Sequence, residues 1–187
     1  MSDTLRSFLA LEMPHDTRTL LAQRRDELRT TLPAARWVRP EGQHLTLKFL
    51  GEVARTRLDD LVLDLAPGLR DLPKVRVQLA GAGFFPSPSR PRVAWIGGRA
   101  EGASAIVDLI EETAERHGFE RENRRWALHL TQARLKRPWP RSAVERFLSW
   151  GEGLALEEFT ASEVVLFSSS LRRSGAVYTA LRRMPLA

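Results

Sequence analysis

The sequence predicts an α+β protein: a bilobal, pseudo-duplicated fold, with two antiparallel sheets facing across a central cleft and the helices outside. Two observations carry this reading. Strand-like and helix-like segments mix without a regular β-α-β beat, which argues against a parallel sheet. Two short segments also nearly repeat each other, His44-Leu45-Thr46-Leu47 and His129-Leu130-Thr131-Gln132. They lie close to half the chain apart, so each lobe is expected to give one strand to a shared cleft. Residues 1–187 then form a single two-lobed domain.

The elements follow in order. Ser7 to Met13 reads as a buried strand ended by Pro14, and Asp16 or Thr17 is placed to cap a helix through about Leu32. Arg36 to Pro40 is a short extended piece. His44 to Leu50 is the first motif strand, stopped by Gly51. Leu58, Leu61, Val62 and Leu65 share one face of a helix from about Thr56 to Leu69. Val75 to Leu79 alternates as a strand does, Gly81 to Pro91 reads as a loop, and Arg92 to Ile96 is the next strand. A helix from about Ala103 to His117 closes at Gly118. Trp126 to Leu135 holds the second motif. Ser142 is expected to cap a helix to about Trp150, and Ser162 to Phe167 and Val177 to Arg182 are the last strands.

Composition narrows the function. Cysteine is absent, which excludes disulfides, thiol catalysis and thiolate metal sites. No run of about 20 apolar residues could span a bilayer, so no membrane partner is expected. The start, Met1-Ser2-Asp3-Thr4, is not that of a signal peptide, and a cytoplasmic location is expected. The net charge is +6, from 29 Lys+Arg against 23 Asp+Glu. Lys48, Lys74 and Lys136 are the only lysines, so the cations are mainly arginine, whose planar fork suits phosphate.

The paired motifs carry the chemistry. Residues i and i+2 of a strand share a face, so each motif presents an imidazole beside a hydroxyl. Two imidazoles supply a general acid and a general base, and two hydroxyls can hold an anion between them. A single His-x-Thr is commonplace in half-buried strands; two copies with matching leucine flanks are not. Neither motif offers a third ligand at zinc spacing, nor an acidic partner for a serine-type nucleophile, so no metal and no cofactor are expected. His15 and His117 read as unrelated, the first exposed and the second closing a helix. Trp37 and Trp95 read as core. Lys48 shares strand parity with His44 and Thr46, and is read as solvated or on the cleft wall.

The runs Arg36-Trp37-Val38, His44-Leu-Thr-Leu-Lys-Phe-Leu-Gly51, Phe85-Pro86, Arg90-Pro91-Arg92-Val93-Ala94-Trp95 and His129-Leu-Thr-Gln-Ala-Arg134 resemble the bacterial 2′-5′ RNA ligase family. Its members are also called RNA 2′,3′-cyclic phosphodiesterases, a branch of the two-histidine phosphoesterases. The resemblance implies metal-independent opening of ribose 2′,3′-cyclic phosphate ends of RNA to 2′-phosphates. It also implies reversible, ATP-independent joining of such ends to a 5′-hydroxyl through a 2′-5′ bond. By position it makes His44 and His129 the acid–base pair, with Thr46, Thr131 and Arg134 on the phosphate. His44 is assigned as acid and His129 as base. RNA ends with a 2′,3′-cyclic phosphate are the expected partner, and the protein is expected to act as a monomer.

Two departures stand out: Leu128 where the family often has proline, and Gln132 where it is usually aliphatic. Parity raises a further question. Arg134 lies five residues after His129, on the opposite face of a straight strand, so it needs a bulge to reach the phosphate. Phe49 has the same offset from His44. The duplication suggests that both curl toward the cleft, Arg134 to phosphate and Phe49 to stack on a base. Arg90-Pro91-Arg92 and Arg172-Arg173 are candidates for RNA backbone. Two other readings stay open: a phosphodiesterase for a small cyclic phosphate such as a nucleotide or ADP-ribose derivative, and a non-catalytic RNA-binding module.

Overall fold

The structure, a computed structural model, describes residues 4–172 and 175–187. β1 (Thr4–Glu12), β3 (His44–Ala54), β8 (Glu163–Arg172) and β9 (Gly175–Pro185) form a four-stranded sheet in the order β3-β1-β8-β9. β2 (Arg36–Trp37), β4 (Val75–Ser87), β5 (Arg90–Glu101), β6 (Leu130–Arg134) and β7 (Phe159–Ala161) form a five-stranded sheet, β2-β6-β5-β4-β7. Every pairing is antiparallel. The sheets are not simply the two halves of the chain. The first is completed by the last two strands, so each draws on both halves, and each carries one motif.

Among the described residues four α-helices flank the sheets: α1 (His15–Arg29), α2 (Arg55–Arg70), α3 (Ala103–Arg116) and α4 (Arg141–Glu152). Leu58, Leu61, Leu65 and Leu69 recur at helical spacing along α2, and Ile106, Val107, Ile110 and Ala114 along α3. Both stripes enter one large core with Leu9, Leu11, Leu45 and Leu47 of the first sheet and Val77, Leu79, Ile96 and Leu130 of the second. This shared core fixes one sheet against the other. A second cluster seats α4 on the five-stranded sheet through Phe147, Phe84 and Trp139. A third, small and aromatic, lies on the other face of the four-stranded sheet: Phe8, Ala10, Val165 and Phe167, with Tyr178 against it.

Several expectations need correction. The Gly81–Pro91 segment is not a loop: β4 runs through it to Ser87 and turns at once into β5. The glycines serve the sheet. Gly81 takes a left-handed conformation where the register shifts, and a Cβ on Gly83 would meet the Trp95 ring at 2.2 Å, so that glycine lets the indole lie across the strand. α1 and α4 start directly after Pro14 and Pro140 without side-chain caps, so Asp16, Thr17 and Ser142 do not cap. β3 continues past Gly51, which adopts φ 80°. β7, only three residues long, is too short for alternation to reveal. No helix among the described residues is long and apolar enough to cross a membrane.

Candidate active site

The register of β3 with β1 shows how the first motif is delivered. Glu12 lies opposite His44, Ala10 opposite Thr46 and Phe8 opposite Phe49, with a register shift that leaves Leu47 as an extra residue. Directly opposed residues share a face, and Glu12, Ala10 and Phe8 alternate along β1. His44, Thr46 and Phe49 therefore point the same way. Beyond this bulge the parity is inverted for Lys48 and Phe49, until a second register shift at Leu50 restores it.

The second motif repeats the device. Trp95 lies opposite Thr131 and Val93 opposite Arg134, and the shift leaves Gln132 as the extra residue. Trp95 and Val93 share a face of β5, so Thr131 and Arg134 do too. His129 sits immediately before β6, two residues from Thr131, with its ring edge-on to Phe85 at 5.4 Å. The bulged residue is the fourth of each motif, Leu47 and Gln132. Arg134 is exposed on this face. Phe49 is 44% exposed, with the Arg6 guanidinium 4.6 Å from its ring centre.

Lys48 corrects the sequence reading. Straight-strand parity puts it beside His44, solvated or on the cleft wall; the bulge at Leu47 turns it inward. It is 1% exposed and ion-paired to Glu111 of α3 at 2.7 Å. Lys48 also donates to the Glu120 carbonyl at 2.9 Å, and Glu111 accepts from the Glu122 backbone N–H at 3.2 Å. The indole N–H of Trp126 donates to the Thr46 carbonyl at 2.9 Å. The segment leading to His129 is thus tied at three points to the first motif strand and to α3. Gln132 adds a fourth link: buried, it accepts a 3.2 Å hydrogen bond from Gln43, the residue before His44. The departure at this position has become a bridge between the motifs.

The two histidines are held alike and packed differently. Nδ1 of His129 is 3.0 Å from the Ala127 carbonyl oxygen, and His44 hydrogen-bonds the Gly42 carbonyl; each partner is two residues upstream. The His44 ring stacks on Phe8 at 4.5 Å and meets Tyr178 edge-on at 4.8 Å. Burial pushes its pKa down to about 4. The Gly42 carbonyl and the charge of Glu12 oppose that shift, and a charge on His129 adds to it, so the two rings sense each other. Glu12 is itself held at 2.5 Å by Arg183, which also pairs with Glu163. The rings around His44 come from β1, β8 and β9, too far off in sequence for local pattern to reveal.

His15 is exposed, and His117 pairs with Asp64 at 2.8 Å on the helical side. Trp37 and Trp95 are half-buried. Arg90 and Arg92 are exposed where β5 begins, and Leu128 is buried. Arg173 and the side chain of Arg172 lie outside the described residues. Among the described residues no three His, Asp or Glu side chains stand together as a metal site.

Two strands from two sheets, each offering an imidazole and a hydroxyl, with an arginine beside the second pair, make an arrangement suited to phosphoester chemistry. Comparison with known proteins agrees. The LigT like Phosphoesterase family model matches residues 11–95. The RNA 2′,3′-cyclic phosphodiesterase of Methanothermobacter thermautotrophicus is 30% identical over 178 residues, covering 94% of this chain and 95% of its own. A crystal structure from Thermus thermophilus matches with a TM-score of 0.80 at 26% identity, over 97% of this chain and 98% of its own. Escherichia coli LigT complexed with 3′-AMP matches with a TM-score of 0.76 at 27% identity, over 99% of each chain. The chain belongs to the LigT-like phosphoesterase family, and it is a phosphodiesterase.

Proposed function

We propose that the protein opens the 2′,3′-cyclic phosphate ends of RNA to 2′-phosphates by metal-independent acid–base catalysis. The observation that supports this is the matched pair of strands: His44 and Thr46 share one face of the first sheet, Thr131 and Arg134 share one face of the second, and the charge of His129 is felt at His44. Relatives named for the same activity support the substrate class. His129 accepts the proton of the attacking water. Its Nδ1–H donates to the Ala127 carbonyl, which leaves Nε2 to take a proton. The water oxygen bonds to phosphorus, the P–O3′ bond breaks in line with it, and His44 gives its proton to O3′. The products are a 2′-phosphate and a free 3′-hydroxyl. Thr46, Thr131 and Arg134 stabilise charge developing on the nonbridging oxygens. Phe49 stacks on the base of the terminal nucleotide.

Burial keeps His44 neutral at neutral pH before substrate binds. The negative charge of the bound phosphodiester offsets that desolvation, so His44 takes up the proton it later donates as substrate binds. With an RNA 5′-hydroxyl in place of water, the same steps join two ends through a 2′-5′ bond. The test is to incubate purified protein with an oligonucleotide ending in a 2′,3′-cyclic phosphate, in EDTA, and identify the product. A 2′-phosphate end is expected. A 3′-phosphate, or turnover only after a divalent ion is restored, contradicts the proposal. Turnover of cyclic mononucleotides but not of RNA ends would mark a small-molecule phosphodiesterase, and binding without turnover an RNA-binding module.

A further inference from the structure

We propose that the aromatic surface beside His129, made by Phe85 and Trp95 and continued by the cavity next to them, holds the nucleoside that supplies the attacking 5′-hydroxyl in the joining direction. The inference rests on the function proposed above and adds a location for the second RNA end.

In a displacement at phosphorus, the attacking and departing oxygens lie on opposite sides of the phosphorus atom. The departing O3′ takes its proton from His44, so the nucleoside of the cyclic phosphate lies on the His44 side, where Phe49 is exposed. The attacking oxygen gives its proton to His129. A nucleoside carrying that oxygen must therefore lie on the His129 side. The P–O5′ bond forms as the P–O3′ bond breaks, the O5′ proton passes to His129, and the His44 proton passes to O3′.

The surface there suits a nucleoside. Phe85 is 41% exposed, its ring 5.4 Å from His129 and 5.2 Å from Trp95. Trp95 lies over Gly83 and lines a cavity of about 640 Å³. Trp126 forms a further aromatic wall, and Ala80 and Gly97 leave the cavity wide by lacking bulk. Residues 125–128 of its lining run straight into His129. The buried indole N–H of Trp95 has no hydrogen-bond partner, and Arg125 brings an exposed cation for the next phosphate of the chain. Aromatic faces, a roomy cavity and an arginine are the usual parts of a single-stranded RNA platform.

The test compares two reactions of one protein. The first is hydrolysis of cytidine 2′,3′-cyclic phosphate, which needs no second nucleoside. The second is joining of an oligonucleotide with a 2′,3′-cyclic phosphate to one with a 5′-hydroxyl, read also in reverse as cleavage of a 2′-5′-linked dinucleoside. Trp95→Leu removes the stacking face. Ala80→Trp fills the cavity from an exposed position and keeps the test alive if the first variant fails to fold. The ratio of joining to hydrolysis is expected to fall roughly tenfold or more in each folded variant. A ratio within about threefold of wild type overturns the proposal, as does a wild-type protein that hydrolyses the cyclic phosphate but neither joins ends nor cleaves the 2′-5′ linkage. Failure of wild type to hydrolyse any 2′,3′-cyclic phosphate would instead overturn the proposed function.

Discussion

The two motif strands share a backbone and differ in what the backbone presents. Both bulge at the fourth residue, and both hold the histidine by a carbonyl two residues back. The bulge on β3 then delivers an aromatic ring, Phe49, and buries a lysine; the bulge on β6 delivers an arginine, Arg134, and buries a glutamine. His44 sits among rings and is driven toward neutrality, whereas the one ring against His129 among the described residues is Phe85, edge-on. The same backbone device thus aims an aromatic ring from one strand and a guanidinium from the other. What repeats is the way the residues are aimed.

Removing either ring probes this pairing most severely. His44→Ala and His129→Ala should each lower kcat for cyclic phosphate hydrolysis about 10²–10⁴-fold, with the fold retained by circular dichroism. Near-wild-type turnover in either variant would end the two-histidine mechanism.

The buried lysine comes next. Lys48→Met leaves the Glu111 carboxyl without its buried partner, and is expected to cost about 3–5 kcal/mol in urea unfolding. Lys48→Met with Glu111→Leu should recover much of that loss. If the single variant unfolds like wild type, the tie between the first motif and the segment before His129 carries little weight.

Arg134→Ala should cost roughly 2–4 kcal/mol of transition-state stabilisation, seen in kcat/KM, by analogy with loss of an oxyanion donor. Arg134→Lys should recover only part, because a point charge cannot reproduce the fork. Equal activity of all three proteins would make the bulge at Gln132 structural only.

The smallest expected effect is on stability in acid. The native pKa of His44 is about 4 against 6.5 for a free imidazole, so between those values the unfolded chain binds a proton that the native state does not. Stability should therefore fall as pH drops through that window, by roughly 2–3 kcal/mol between pH 7.5 and 4.5 from this residue. His44→Phe, with its ring kept between Phe8 and Tyr178, should lose that share of the pH dependence in urea titrations. An unchanged pH dependence would mean that the ring is better solvated than its neighbours imply.

Much of the geometry of the candidate site is legible in the sequence, and the limits have physical causes. The repeated His-x-Thr points to the two histidines and threonines because strand periodicity is local. The parity conflict at Arg134 calls for a bulge, and one is found at Gln132. Lys48 is misread because it directly follows the other bulge, at Leu47, where straight-strand parity no longer holds. The partner that stabilises it, Glu111, is on a helix whose packing no local pattern reports. The glycines from Gly81 onward read as loop because turn chemistry and sheet irregularity use the same residue. Phe8, Phe167 and Tyr178 gather around His44 through long-range strand pairing.

Whether both motifs grip a single anion is decided most directly by a crystal structure with inorganic phosphate. One phosphate is expected between the motifs, with a ring nitrogen of each histidine, both threonine hydroxyls and the Arg134 guanidinium at hydrogen-bond distances of about 3 Å. A phosphate bound by the histidines and threonines with Arg134 turned into bulk water would remove the arginine from the site. A phosphate bound away from both histidines would contradict the two-motif site altogether.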